Sequence, residues 1–195
     1  MMDATTTGKR SGQGDPVRVA ILADTHGWVD PRVVAIVAGC DLAVHVGDIG
    51  NAEVLNRLRP RRGSVWAVRG NNDRPVDWPS LDLDLLATIP AQVELALPGG
   101  TLMVIHGHQT QARERHERLR RRFPLARVLA YGHSHRLVVD QTAEPWVINP
   151  GAAGRNRTFG GPSCLVLIAR EGEWQVETYR FQPLTRPCHR GANHC

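Results

Sequence analysis

Five stretches of this chain close on side chains that can bind a cation: Asp24-Thr25-His26, Gly47-Asp48, Gly70-Asn71-Asn72-Asp73, His106-Gly107-His108 and Gly132-His133-Ser134-His135. Carboxylate, amide and imidazole groups are the oxygen and nitrogen donors from which divalent-metal sites are built. Each stretch alone carries little weight. An aspartate after a strand commonly serves a turn or a helix cap, and a lone histidine commonly packs or faces water. Gly-His-x-His is more specific, because two imidazoles two residues apart beside a glycine can both face a metal. Five such stretches in succession, each closing an apolar run, point to a metal centre.

The elements that must position these groups are legible in outline. Residues 17–23 form a short apolar run that fits a buried strand delivering Asp24 at its C-terminal end. Asp30-Pro31 reads as an N-cap and a first-turn proline, opening a helix to about residue 38. The pattern repeats with a strand over 41–46 and a helix over 52–58, ended by Pro60. A third strand over 64–69 leads into the 70–73 loop. Strands separated by helical material predict βαβ units and a partly parallel sheet, whose ligand sites gather outside the carboxyl ends of the strands. From residue 92 the style changes to a hairpin around Pro98-Gly99-Gly100, its second strand ending at His106. A charged helix over 112–123 follows, with Glu114–Arg118 and Glu117–Arg121 spaced for i,i+4 pairing. One more strand leads to Gly132, and short strands with Gly/Pro turns fill 137–181. The expected fold is α/β, with two sheets packed face to face and helices outside.

Composition narrows the class. A chain of 195 residues supports one well-cored domain. We expect a disordered leader over 1–15, the domain over 16–182 and a flexible tail over 183–195. No apolar run approaches the ~20 residues of a membrane span, and the polar N-terminus lacks a secretion signal, so the expected location is the cytoplasm with no membrane partner. The net charge of +5 comes from 24 basic residues of which only Lys9 is lysine. Such uniform arginine use reads as a coding bias more than as a nucleic-acid surface. The basic segment 114–122 interleaves glutamate and reads as a solvated helix, so polymeric nucleic acid is not the expected partner. Cys40 and Cys164 sit among apolar residues as small core fillers. Cys188, His189, His194 and Cys195 read as a frayed end more than as a metal site.

The ordered set Asp-x-His, Gly-Asp, Gly-Asn-x-Asp, His and Gly-His-x-His resembles the calcineurin-like metallophosphoesterase superfamily, in particular its small single-domain bacterial and archaeal phosphodiesterases. The resemblance covers about residues 19–168 and includes Ile148-Asn149-Pro150-Gly151, similar to a family turn near the site. It implies a four-layer α/β/β/α sandwich. It also implies two divalent ions, one held by Asp24, His26, Asp48 and His135, the other by Asp48, Asn71, His106 and His133, with Asp48 bridging. The donor mixture suits Mn²⁺, with Fe, Zn²⁺ or Ni²⁺ as alternatives, better than Mg²⁺ or Ca²⁺. Two cations about 3.5–4 Å apart neutralise an anionic ester and activate a shared water for in-line attack. The implied function is therefore a phosphodiesterase or phosphatase acting on a small, nucleotide-like phosphate ester. His45 and His108 are expected to pack or to support ligands.

Position 72 departs from the family pattern. Many members carry histidine there, thought to assist the leaving group with the following aspartate in support, whereas this chain has Asn72 before Asp73. Asn72 donates a hydrogen bond but cannot ionise to release a proton. Arg74, Arg155 and Arg157 flank the motifs and are candidate phosphate contacts. The sequence leaves a homo-oligomer open, together with two alternative functions: a non-catalytic scaffold of the same fold, and a nuclease.

Overall fold

The computed structural model describes residues 15–183. Residues 1–14 of the expected leader, and residues 184–195 of the expected tail with its Cys/His cluster, lie outside the described residues.

The run Val17–Leu22 forms β1, and its residues divide by parity. Val19, Ile21 and Ala23 face one apolar cluster, Ala20 and Leu22 another. A strand covered on both sides needs an unbroken apolar run, not an alternating one. The remaining elements are α1 (Pro31–Ala38), β2 (Leu42–His45), α2 (Ala52–Arg57), β3 (Ser64–Ala67), a 3-10 turn at Ser80–Asp82, α3 (Leu83–Thr88), β4 (Gln92–Leu97), β5 (Gly100–Ile105), α4 (Arg115–Arg122), β6 (Val128–Tyr131), β7 (Leu137–Asp140), β8 (Trp146–Pro150), β9 (Ser163–Ala169) and β10 (Trp174–Arg180).

These strands make two five-stranded sheets, ordered β10-β9-β1-β2-β3 and β4-β5-β6-β8-β7. In the first, β1, β2 and β3 run parallel while β9 and β10 are antiparallel additions. In the second, β5, β6 and β8 are parallel, flanked by antiparallel β4 and β7. The inner faces share one core, in which Ile21, Val44 and Leu165 meet Leu102, Val104, Val128 and Ile148. Helices α1, α2 and α3 cover the outer face of the first sheet through Val33, Val37, Val54 and Leu86. Leu119 of α4 covers the outer face of the second, against Met103, Ile105, Leu129 and Tyr131. The result is the expected α/β/β/α sandwich. Full burial of each such side chain is worth about 1.5–3 kcal/mol.

Local signals held where they were physical. The Asp30 carboxylate accepts from the N–H of Arg32 at 2.9 Å, with Pro31 at the first helical position. Two details differ. The turn and helix over 80–88, a stretch with no element expected from the sequence, pack through Trp78, Leu86 and Ile89. The Glu114–Arg118 pair forms at 3.8 Å, but Glu114 precedes the helix at φ 55°, and no Glu117–Arg121 pair is present among the described ion pairs. Arg120 of that helix instead reaches Asp140 on β7, at 2.9 Å. Cys40 and Cys164 are buried, as expected. No described helix is long and apolar enough to cross a membrane.

Candidate metal centre

The five motif stretches follow β1, β2, β3, β5 and β6, parallel neighbours within their sheets, and main-chain bonds draw these strand ends together. Asp24 N–H donates to the Gly47 carbonyl at 3.0 Å and His26 N–H to the Asp48 carbonyl at 2.9 Å. The two sheets are joined by His106, whose Nδ1–H donates to the carbonyl of Val46 at 2.8 Å. A carbonyl can only accept, so Nδ1 carries a proton, and Nε2 is the atom turned towards the centre, protonated against Asp48 or, in the neutral ring, free to ligate. The approach demands glycine at 47, where φ is +91° and a Cβ would sit 2.5 Å from His106 Nδ1. Glycine at 70 is equally required, since a Cβ there would meet Asp48 Oδ1 at 2.1 Å.

Backbone strain marks the same spot. Seven described non-glycine residues have left-handed φ: Asp24, His26, Asp48, His133, His135, Arg157 and Glu114. Five are candidate ligands and a sixth is a candidate substrate contact. Such conformations cost about 1–3 kcal/mol each and persist where surrounding structure enforces them, characteristically at functional sites.

Around Asp48 the groups meet. Its Oδ1 lies 3.3 Å from His106 Nε2, and its Oδ2 lies 3.8 Å from His26 Nε2. His106 Nε2 is also 3.2 Å from Asn71 Oδ1, and the His106 and His133 ring centroids are 5.3 Å apart. On the other side, His26 Nε2 and His135 Nε2 are separated by 3.3 Å, and His135 Nε2 lies 3.6 Å from Asp24 Oδ1. All seven candidate ligands thus fall in one neighbourhood, spread on two sides of Asp48.

The electrostatics favour a cation. Burial raises the pKa of Asp24 to about 7, the pull of His106 compensating only in part. Burial opposes ionisation of Asp48 too, but the hydrogen bond and charge of His106 and the donors of Asn72 overcome it and hold this carboxyl well below the usual range. Burial lowers His26 and His133, and with Arg157 brings His135 down to about 4. His106 alone is raised, since Asp48 outweighs its burial. The lowered imidazoles of His26, His133 and His135 are thereby kept neutral, the protonation state a metal requires of its histidines.

The donor set fits an ion on its own geometry. Asp24, His26, Asp48 and His135 offer ligand atoms that all lie within 4.8 Å of one another. Asp24 Oδ2 is buried without a protein partner, a costly state for a polar atom.

A calcineurin-like phosphoesterase superfamily domain matches residues 17–172. The chain belongs to this superfamily. A phosphodiesterase of Methanocaldococcus jannaschii is 24% identical over 167 residues, covering 82% of this chain and 97% of that enzyme. A shorter stretch of 118 residues is 34% identical to the DNA-directed RNA polymerase subunit beta of Cycas taitungensis; it covers 59% of this chain but only 10% of the subunit, and carries no function across. Among solved structures, a single mutant of Vps29 from Entamoeba histolytica aligns with a TM-score of 0.64 at 18% identity, covering 85% of this chain and all of that one. At this identity the likeness is one of fold. Calcineurin-like phosphoesterases are metal-dependent, which agrees with the donor cluster.

The other candidate residues differ in how they are held. Asn72 donates through its backbone N–H to Asp48 Oδ1 at 3.0 Å and through Nδ2 to Oδ2 at 2.7 Å. Asp73 turns away into the loop core. Its Oδ1 accepts from the N–H groups of Ile49 and Gly50 and from Trp78 Nε1, and its Oδ2 from Gly70 N–H, at 2.8–3.0 Å. Arg157 reaches the centre, Nη2 lying 3.0 Å from His135 Nε2. Arg155 stacks on Trp28, and Arg74 is exposed and pairs with Asp77 at 2.6 Å. His108 is exposed, its ring 5.6 Å from that of His106.

Two residues support the site: Asn149, in the turn the resemblance placed near it, and His45, expected to pack or to support ligands. Asn149 Nδ2 donates to the Gly132 carbonyl at 2.8 Å and to Ser134 Oγ at 3.0 Å, ordering the loop that bears His133 and His135. His45, fully buried, lies 2.9 Å from the hydroxyl of Thr25, which itself donates to the Ile49 carbonyl. His45 Nε2–H must therefore be the donor.

Burial lowers the His45 pKa to about 3, below the ordinary 6.5. The native state then binds fewer protons than the unfolded chain between these values, so His45 supplies stability above pH 6.5 that is lost as pH falls towards 3. The slope contributed is at most about 1.4 kcal/mol per pH unit. His45→Gln keeps a donor for Thr25 without the titration. Thermal melts of metal-free protein between pH 7 and 4.5 are expected to show a shallower loss for the variant. Equal slopes would remove this account of His45.

Proposed function

We propose that this chain is a dinuclear metal-dependent phosphoric ester hydrolase, acting on phosphodiesters in preference to monoesters. The observation that carries the reading is the convergence, around one buried carboxylate, of donors from five strand ends, four of them within 4.8 Å of one another. Asp24, His26, Asp48 and His135 would hold one ion; Asp48, Asn71, His106 and His133 would hold the second. Bound divalent cations supply charge neutralisation at the phosphoryl oxygens and a nucleophile from water at neutral pH.

The chain's own groups do the rest. Asp48 remains ionised over the working range and faces donors from both sides. The His106–Val46 bond keeps the imidazole turned with Nε2 inward. Arg157 places a permanent positive charge beside His135, suited to an ester oxygen. Asn72 Nδ2 donates to the same carboxylate and keeps a second N–H, which can hydrogen-bond a leaving oxygen without protonating it.

The test is chelation followed by titration with Mn²⁺, Fe²⁺, Zn²⁺ or Ni²⁺. Hydrolysis of bis(p-nitrophenyl) phosphate is compared with that of p-nitrophenyl phosphate, and metal content is read by plasma emission. Loss of activity on chelation, recovery with metal and faster diester turnover are expected. A folded protein that binds metal and turns over neither ester would support instead the scaffold reading, which the fold shared with Vps29 keeps in view. General-acid help contributes about 10²–10⁴-fold, so Asn72→His is expected to raise kcat on alkyl diesters by about 10²-fold. It should leave p-nitrophenyl esters, whose leaving group needs no proton, nearly unchanged. Equal effects on both would sink this account of position 72.

A further inference from the structure

Seven of the chain's ten aromatic side chains join the apolar clusters of the sandwich. The three that do not are Trp66, exposed on the edge strand β3, and the pair Trp28 and Phe159. Trp28 lies two residues beyond His26, and Phe159 two residues beyond Arg157. Phe159 is 49% exposed and Trp28 partly so.

Main-chain contacts lay the segment that carries Arg155, Arg157 and Phe159 against the turn that carries His26. Ala153 N–H donates to the Ala23 carbonyl at 2.8 Å, and a Cβ on Gly154 would come within 2.5 Å of the Thr25 carbonyl. The segment that begins at Gly154 is therefore laid directly on the Asp24–His26 turn. Beyond it, Phe159 N–H donates to the Arg157 carbonyl and Gly161 N–H to that of Thr158, closing a tight turn. Each ring carries a guanidinium on one face: Arg155 Cζ is 4.0 Å from the Trp28 centroid, and Arg136 Cζ, next to His135, is 4.4 Å from that of Phe159. With Arg157 on His135, the rim beside the Asp24/His26/His135 side holds three arginines and two rings outside the core.

We propose that Trp28 and Phe159 form a stacking subsite for a planar aromatic substituent on the phosphate ester. The proposal rests on the hydrolase reading above and names the substrate class it serves. A partly exposed ring with a guanidinium on one face offers charge to an anion and a flat apolar surface to its substituent together. A phosphate bearing an alkyl group can use only the charge. A nucleoside or aryl phosphate uses both, and stacking of this kind is worth about tenfold in affinity per ring.

The test uses metal-loaded protein and ligands that cannot be hydrolysed: methylphosphonate, phenylphosphonate and the phosphonate analogue of a nucleoside 5′-phosphate, with Kd read by calorimetry. Phenylphosphonate is expected to bind at least about tenfold more tightly than methylphosphonate. Tighter binding still by the nucleoside analogue would identify a nucleobase as the natural group, and equal binding would identify a simple aryl group; both support the subsite. Phe159→Ala, Phe159→Leu and Trp28→Ala should each reduce the aromatic-to-methyl affinity ratio about tenfold, while Trp66→Ala leaves that ratio alone. Equal affinities for all three ligands, or variants that leave the ratio intact, would overturn the subsite. Failure of methylphosphonate itself to bind, together with no diester turnover, would instead count against the hydrolase reading.

Discussion

Asp48→Ala is expected to lower metal-dependent diester hydrolysis by about 10³-fold or more. This carboxylate touches both sides of the centre, with His106 Nε2 at 3.3 Å and His26 Nε2 at 3.8 Å. Its pKa is held well below the ordinary range despite burial, because His106 and Asn72 stabilise the charge. Removing it takes one full negative charge from between the two sets of donors. Stabilisation of a phosphoryl transition state by bound cations is worth several kcal/mol, and about 4 kcal/mol corresponds to the stated loss. Metal content should fall by at least one equivalent, read by plasma emission on the dialysed protein. Asp48→Asn separates charge from shape, since its amide oxygen can still accept from the Asn72 N–H. Both variants should melt cooperatively in chelator. Activity within tenfold of the parent chain for Asp48→Ala would mean that the hydrolysis occurs elsewhere.

Asp73→Ala is expected to act on stability before catalysis. Four donors converge on this buried carboxylate, and three belong to the loops after β2 and β3, which carry Asp48 and Asn71. Deleting the acceptor leaves Ile49, Gly50 and Gly70 N–H groups and the Trp78 indole unsatisfied. Stripping a buried charged network of one partner costs about 3–5 kcal/mol, a large share of the 5–15 kcal/mol typical of a domain. At about 2–4 °C per kcal/mol for a chain of this size, Tm should drop by about 10 °C. Asp73→Asn should be milder, because the amide oxygen can keep the three-donor position and only Gly70 N–H then faces an N–H group. Melting points of the metal-free variants decide the matter. A Tm within 2 °C of the parent, with kcat still abolished, would assign Asp73 to the chemistry itself.

These expectations separate what could be read along the chain from what could not. The strands were legible because a short unbroken apolar run such as residues 19–23, followed by a polar turn, suits a strand covered on both faces. The donor groups were legible because each closes such a run, and the α1 start because Asp30-Pro31 is a local capping signal. The arrangement between elements was decided elsewhere. The bond from His106 to Val46 spans 60 residues and the approach of His135 to His26 spans 109; both follow from sheet order and from the packing of one sheet on the other. The left-handed backbone at Asp24, Asp48 and His133 is enforced by those same non-local contacts, against the local preference of the residues. Asp73 shows the limit most clearly. Its position in the motif suggests a group beside the chemistry, while its partners at 49, 50, 70 and 78 turn it into the loop core. Arg120 likewise bypasses its helix neighbours for Asp140. Periodicity records which face of an element is covered, because side-chain direction repeats along a strand or helix. It is silent on which distant donor fills an acceptor's lone pair, and that is settled only when the two sheets close on each other.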